Sequence, residues 1–437
     1  MLKRILEKVN QIFPANTFRK NVVMMFSGTV VSQAVYLLFY PILTRIYSTA
    51  NFGEYAIFIS FLSIFSVLAT GQYEIPILLP KEEKSLKHLT FGAVFISVVM
   101  SIVITIILLL AAPLLERYDY FHSYWMVGFL GISIFIYAFY QVQFYLSLRN
   151  KDFKSLAFIN ILNVGSSIVF QWLLSKTVLA GQGLIIGYMG GTLIATFLLY
   201  LKNREIFILD DDSKDMFKEI KKQLIRYKKF PLFNLPATFV NLTANQVPQL
   251  LLNSFGTSVV GQFSLSQRVL GSPITLFSTS VSHVFKERAS SDYRNKGNCR
   301  GIFVQTFKSL FLISIVPFML IFIFAPMLVP IIFGSEWDTA GSYIRALTLM
   351  YFFKFTVSPL TYVIVVAERQ NLNLLLQTVL LVLSIISIQL GINQGSALQA
   401  VIWFSLAYSV VYLLFLAVSY NLSKGKINNL NMKTNGL

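Results

Sequence analysis

FGAVFISVVMSIVITIILLLAAPLL, residues 91–115, decides the fold class. It carries no charge over 25 positions, and as a helix rising about 1.5 Å per residue it is long enough to cross a hydrocarbon core of roughly 30 Å. Similar uncharged runs cover 21–44, 55–73, 120–148, 155–175, 177–201, 230–267, 309–335 and 370–423. Two of these are too long for one crossing and break at NSFGTS (253–258) and GINQGS (391–396). With 269–285 and 355–367 completing helices that carry internal charge, the pattern predicts an all-α polytopic membrane protein with twelve transmembrane helices. Composition agrees: of 437 residues, 55% are hydrophobic and 13% charged, with a mean hydropathy of +0.66. A soluble domain of this length would need far more polar surface.

The basic residues orient the chain. Of 36 Lys and Arg, 29 fall in the N-terminal segment, the loops following even-numbered spans, and the C-terminal tail. That asymmetry predicts both termini in the cytoplasm. The net charge of +17 is therefore read as a topology signal, and no nucleic-acid partner is expected. MLKRILEKVNQIFPANTFRK precedes an apolar run too long for the core of a cleavable signal. The lone Cys299 has no internal disulfide partner, and His88, His122 and His283 are isolated, so neither a metal site nor a cofactor is expected.

The polar stretch KNREIFILDDDSKDMFKEIKKQLIRYKKF (202–230) separates six predicted spans from six more. Landmarks recur across it. Pro41 precedes FGEY (52–55) and Pro248 precedes VGQF (260–263); Ala112-Pro113 is matched by Ala325-Pro326, and Arg149 by Arg369, at offsets of 207, 213 and 220. These imply two parallel-repeat six-helix lobes around a central cavity. The expected organisation is an interfacial amphipathic segment (1–20), an N-terminal lobe (21–201), a basic cytoplasmic connector (202–229), a C-terminal lobe (230–420) and a cytoplasmic tail (421–437). In the connector, Phe217, Ile220 and Leu224 form an apolar face among Lys218, Lys221, Lys222 and Arg226. Residues 2–13 carry a similar stripe. Both read as helices with apolar sides in lipid and lysines toward anionic headgroups, the competing reading being solvated linkers.

Polar residues inside the spans point to a site. Arg268 lies near the middle of the eighth predicted span, where an arginine costs about 2.5–3.5 kcal/mol on insertion scales. Ser264, Arg268, Gly271, Thr275, Ser278 and Ser282 share one helical face, and Asn234, Thr238, Asn241, Asn245, Gln249 and Asn253 share another on the preceding span. The choice is between a wet cavity and a dry polar seam. Lys354 is central in the tenth span and shares a face with Tyr351, Ser358 and Thr361. Arg345, nine residues away, points to the opposite side and reads as snorkelling. Tyr137, Gln141 and Tyr145 lead to Arg149, and Gln33, Tyr36 and Tyr40 lead to Arg45. No acid occupies the middle of a span; Glu54, Glu74 and Glu368 sit at ends. An interior that is cationic without a neutralising carboxylate favours an anion such as a phosphate, pyrophosphate or acidic sugar.

PILTRIYSTANFGEYAIFISFLSIFSVLATGQYEIPILLP (41–80) resembles the opening of the bacterial polysaccharide biosynthesis flippases, the O-antigen and capsule repeat-unit exporters of the multidrug/oligosaccharidyl-lipid/polysaccharide superfamily. Thr44-Arg45, Phe52-Gly53, Tyr55, Tyr73-Glu74 and Leu79-Pro80 occupy the positions of that family's pattern. GQFSLSQRVLGSPITLFSTSVSHVFKERAS (261–290) and residues 333–377 resemble its later segments. The resemblance implies two lobes with alternating access. The implied cargo is an undecaprenyl-pyrophosphate-linked oligosaccharide carried to the outer leaflet of the bacterial cytoplasmic membrane, as part of O-antigen, capsule or exopolysaccharide synthesis. Arg45, Arg268 and Lys354 fit the cationic role, with Arg149, Asn241, Asn245 and Gln249 as further substrate-binding candidates. Glu74 is a candidate proton site, with a helix-end salt bridge as the competing reading. A monomer is expected, with polysaccharide polymerase and glycosyltransferases as candidate neighbours and anionic lipids around it. The alternatives are a multidrug and toxin extrusion antiporter with cationic cargo, a peptidoglycan-precursor flippase, or a polysaccharide polymerase or ligase. The last would be an enzyme, and the short outer loops disfavour it.

Overall fold

The computed structural model describes residues 17–121, 123–208 and 213–425, and every regular element among them is helical. The predicted stripe at residues 2–13 and most of the tail lie outside the described residues. Ten helical spans among the described residues are long and apolar enough to cross a membrane. The chain is thus an all-α polytopic membrane protein. By their contacts its residues form two units, Met1–Tyr47 with Ile57–Phe239, and Ser48–Ala56 with Val240–Leu437.

In the first unit, α1 (Thr17–Ile46) packs on α6 (Phe153–Leu174), which packs on α7 (Gly183–Asn203). Here α3 (Glu83–Leu110) packs on α5 (Tyr124–Arg149), with the short α4 (Ala112–Arg117) between them in sequence. Most of α2 (Thr49–Thr70) also belongs here. Lipid-facing and core-facing positions separate cleanly on α3: Phe95, Val99, Ile102 and Ile106 are exposed, whereas Leu89, Ala93, Ser97 and Ile104 are buried. Polar residues in these helices find partners inside the protein, as a solvent without hydrogen bonds demands. Buried Asn203 donates to the Gln143 carbonyl and Oε1, both at 3.1 Å, and to Ser147 Oγ at 3.0 Å.

The connector corrects the sequence reading. It forms α8 (Ser213–Arg226), which packs along α3. Ile220 is buried and Leu224 half-buried against Gly92, where an added Cβ would lie 2.9 Å from Leu224 Cδ2. The cluster around them holds Tyr73, Ile77, Leu86, Leu89, Ala93 and Tyr227. Ile220 and Leu224 therefore face protein, not lipid, while Phe217, at the start of the helix, is 67% exposed.

In the second unit, α11 (Arg300–Phe333) packs on α12 (Asp338–Val357), α12 on α15 (Ala397–Ser423), and α14 (Gln370–Asn393) on α15. A 3₁₀ turn at Ser358–Thr361, with Pro359 in its first positions, leads from α12 into α13 (Tyr362–Val366). By contrast, Pro41, Pro248 and Pro273 lie inside continuous helices. The two remaining long helices, α9 (Leu235–Leu252) and α10 (Thr257–Lys296), fall outside the ten apolar spans because they carry the amide and hydroxyl faces noted above.

The tightest backbone approach in this unit joins Ser48–Ala56 to the start of α10. A Cβ on Gly53 would lie 1.8 Å from the Thr257 carbonyl oxygen, and one on Gly261 would lie 1.9 Å from that of Thr49. The hydroxyls of Thr49 and Ser258 are hydrogen-bonded at 2.6 Å, and Phe52 meets Trp337 edge to face at 5.1 Å. The contact is reciprocal, Thr49 with Gly261 and Gly53 with Thr257. Glycine is required at both points because no side-chain atom fits. Gly53→Ala and Gly261→Ala should each lower stability by about 1–3 kcal/mol, read as a fall in unfolding temperature in detergent. Gly165→Ala, where nothing lies within 4 Å, should change little.

Candidate functional site

The expected site residues divide between the units. In the second, a chain of polar contacts runs inward from α9. Asn241 Nδ2 donates to Gln377 Oε1 at 3.2 Å, Asn245 Nδ2 to the Asn241 carbonyl at 2.8 Å, and Gln249 Nε2 to Gln267 Oε1 at 2.7 Å. Along the face named above, Asn234 and Asn245 are exposed, Thr238, Asn241 and Gln249 half-buried, and Asn253 buried. Arg268, next to Gln267 on α10, is half-buried. One turn on, Gly271 leaves room for Tyr351, whose ring and hydroxyl would sit 3.6 Å from an added Cβ. The Tyr351 hydroxyl donates to the Gln267 carbonyl at 3.3 Å.

Lys354 is one turn further along α12. Its ammonium lies 5.6 Å from the Tyr351 ring centroid and 5.5 Å from that of Tyr408 on α15. Tyr408 stacks on Tyr412 at 5.1 Å. No carboxylate pairs with Lys354 among the described residues. A cation held over aromatic faces is attracted by their quadrupoles, and the Tyr408 hydroxyl also accepts a hydrogen bond from it; its remaining donors suit an anionic group. Arg345 is different. Pro326 has no N–H to offer the carbonyl of Phe322 four residues earlier, and Arg345 Nε fills the gap at 3.1 Å. Its guanidinium lies over the Phe322 ring, so its role is structural.

In the first unit, Arg45 is exposed in the last turn of α1. Arg149 donates to the carbonyls of Ile77, at 3.0 Å, and Pro80, so two of its donors hold the turn after Tyr73-Glu74. Glu74 is 5% exposed and forms no ion pair among the described residues. Gln72, whose backbone is left-handed at φ 60°, donates from Nε2 to Glu74 Oε1 at 3.4 Å. Oε2 has no hydrogen-bond partner among the described residues. Burial pushes the Glu74 carboxyl above its ordinary value. The salt-bridge reading of Glu74 is not what the structure holds.

A model of the family described as "Polysaccharide biosynthesis protein" matches residues 42–342. The chain belongs to this polysaccharide biosynthesis protein family. No curated protein sequence matches it. Its fold is similar to that of an inward-facing multidrug resistance MATE family transporter of the MOP superfamily, with a TM-score of 0.65 at 14% identity over 90% of this chain and 94% of that one. It is also similar to the lipid II flippase MurJ in an inward closed conformation, with a TM-score of 0.72 at 12% identity over 92% and 89%. An outward-facing MATE transporter gives 0.57 at 15% identity over 92% and 96%. At these identities the likeness is one of fold. Family and fold together class the chain as a polytopic membrane protein of the polysaccharide biosynthesis protein family.

Sequence reading missed Gln267, Gln377, Tyr408 and Tyr412. The i, i+4 tyrosine pair in an otherwise apolar span was the available signal. Two cavities, of about 310 Å³ beside Val284 and Ile302 and about 230 Å³ beside Phe39 and Trp172, are apolar and contain none of the expected site residues.

The Glu74 carboxyl yields a pH test. Its folded-state value is raised, so the stability tied to the neutral form is fully present below the ordinary 4.5. It is lost as pH rises through the raised value. Glu74→Gln should therefore stabilise the polysaccharide biosynthesis protein at alkaline pH relative to wild type, and the difference should shrink toward pH 4. Unfolding temperatures of both proteins across that range check it.

Proposed function

We propose that the protein is a flippase that moves undecaprenyl-pyrophosphate-linked oligosaccharide repeat units across the bacterial cytoplasmic membrane by alternating access. In this reading twelve helices form two six-helix lobes around a central cavity, with both termini cytoplasmic. The polar α9 and α10 then act as spans whose wet faces line the cavity. The reciprocal approach of Thr49 and Gly53 to Gly261 and Thr257 supports an internal repeat.

The observation that carries the cargo assignment is Lys354, a half-buried ammonium over two tyrosines with no carboxylate partner among the described residues. A pyrophosphate or acidic sugar supplies the missing charge, and the adjoining amides and hydroxyls suit a glycan. Arg268 and Arg45 serve the same cargo. Arg149 contributes any donors left over from the Ile77 and Pro80 carbonyls. The likeness to a protein described as a lipid II flippase supports a lipid-borne cargo.

A second reading, a MATE-type antiporter with cationic cargo, rests on specific observations. Most of the solved structures with this fold given above are MATE transporters, so the likenesses of fold back this reading more than the first. Buried Glu74 also supplies a carboxylate that such chemistry uses for a proton or a cation. Family membership and the unneutralised Lys354 favour glycan transport.

Expression in two hosts separates the readings. In a strain lacking its own repeat-unit flippase, the wild type should restore surface glycan. Arg268→Ala combined with Lys354→Ala should reach the membrane at normal levels and restore none. In a pump-deficient strain, no protection against cationic drugs should appear. Full export by the double variant, or drug resistance without export, would overturn the proposal.

A further inference from the structure

Helix α8 has two faces with different environments. Ile220, Gln223 and Tyr227 are buried, and the Leu224 carbonyl accepts a hydrogen bond from the Tyr73 hydroxyl at 3.2 Å. This side is fixed to the first unit through Gly92 of α3. The uncovered side carries Phe217, 67% exposed at the border of the buried face, and Ile225, 53% exposed. Around them Lys218, Lys221 and Arg226 are exposed, and Lys228 follows beyond the helix end. Lys222 is excluded because Glu219 pairs with it at 3.3 Å. Positions 217, 221 and 225 are spaced by four and share one stripe, so a lysine stands between two uncovered apolar side chains.

We propose that this face of α8 is a docking surface for the anionic phosphate headgroups of the bilayer. Two features select lipid over any other occupant. The apolar and cationic side chains are interleaved on one stripe, which suits a boundary where Phe217 and Ile225 enter the acyl edge while ammonium groups meet phosphate. The surface is also continuous with the lipid-facing belt. Phe95, which begins the exposed stripe of α3, is three residues from the Gly92 that seats α8, about 4.5 Å along the helix. A purely water-facing connector has no use for exposed Phe217. The inference rests on the chain being a membrane protein and not on its cargo. Because the other face of α8 holds Tyr73, docking ties the bilayer surface to the turn that buries Glu74.

The test uses the full-length protein. The single native cysteine, Cys299, is buried, so Phe217→Cys, and in a second protein Ile225→Cys, can be labelled with an environment-sensitive fluorophore. Each is placed in nanodiscs of phosphatidylcholine alone or with 30% phosphatidylglycerol, carrying headgroup-level nitroxide lipid; these compositions are chosen as probes. Docking predicts a blue-shifted label, quenched more strongly with phosphatidylglycerol, at both sites. Changing Lys218, Lys221 and Lys228 together to Gln should abolish the excess quenching, at about a tenfold loss of docked fraction for each one to two lysines. Three results would overturn it: water-like emission at both sites in both compositions, equal quenching with and without phosphatidylglycerol, or quenching indifferent to the lysines. Protection of the labels only on addition of a soluble protein fraction would assign the face to a protein partner instead.

Discussion

Hydrocarbon offers no hydrogen bond, and that one property of the solvent orders the polar groups of this chain. Each must find its partner within the protein or be held ready for something that brings one. Asn203 finds Gln143 and Ser147. Arg149 finds the Ile77 carbonyl. Arg345 finds the one carbonyl on α11 that Pro326 leaves without its helical donor. Arg149 and Arg345 satisfy backbone carbonyls, and uncharged Asn203 ties α7 to α5.

Lys354 and Glu74 stand apart because neither has an oppositely charged partner among the described residues. The ammonium has aromatic faces where an anion would ordinarily sit, and one carboxylate oxygen has no hydrogen-bond partner among those residues. Groups left incomplete in a low-dielectric setting carry an energetic penalty, so their persistence points to use. The two differ in sign and belong to different units of the chain. The proposed transport cycle would draw on both, the cation for an anionic cargo and the carboxyl for a proton.

Much of this was legible in residue order. Charge-free runs of membrane-spanning length gave the helices, because the bilayer imposes both length and composition. Lys354 was legible too, as a central charge in a span. Less legible was anything decided by three-dimensional pairing. Arg345 looked like a snorkelling residue, since the consequence of Pro326 appears only when α11 and α12 pack. Phe217, Ile220 and Leu224 looked like one apolar face. A 3.6-residue period does not reveal which side of a wide amphipathic helix meets protein and which remains uncovered. Glu74 looked like a helix-end ion pair because the left-handed Gln72 beside it leaves no trace in a hydropathy pattern. Tyr408 passed unnoticed because aromatic residues are ordinary in lipid-facing sequence.

In the proposed function, a cationic, tyrosine-lined position in the second unit receives phosphate. The most direct measurement is native mass spectrometry of the purified protein with two ligands of equal chain length, a prenyl pyrophosphate and the corresponding prenol. Selective retention of the pyrophosphate, lost on Lys354→Met while the fold survives, is the predicted result. Equal retention of both lipids, or pyrophosphate binding that ignores the substitution, would contradict it.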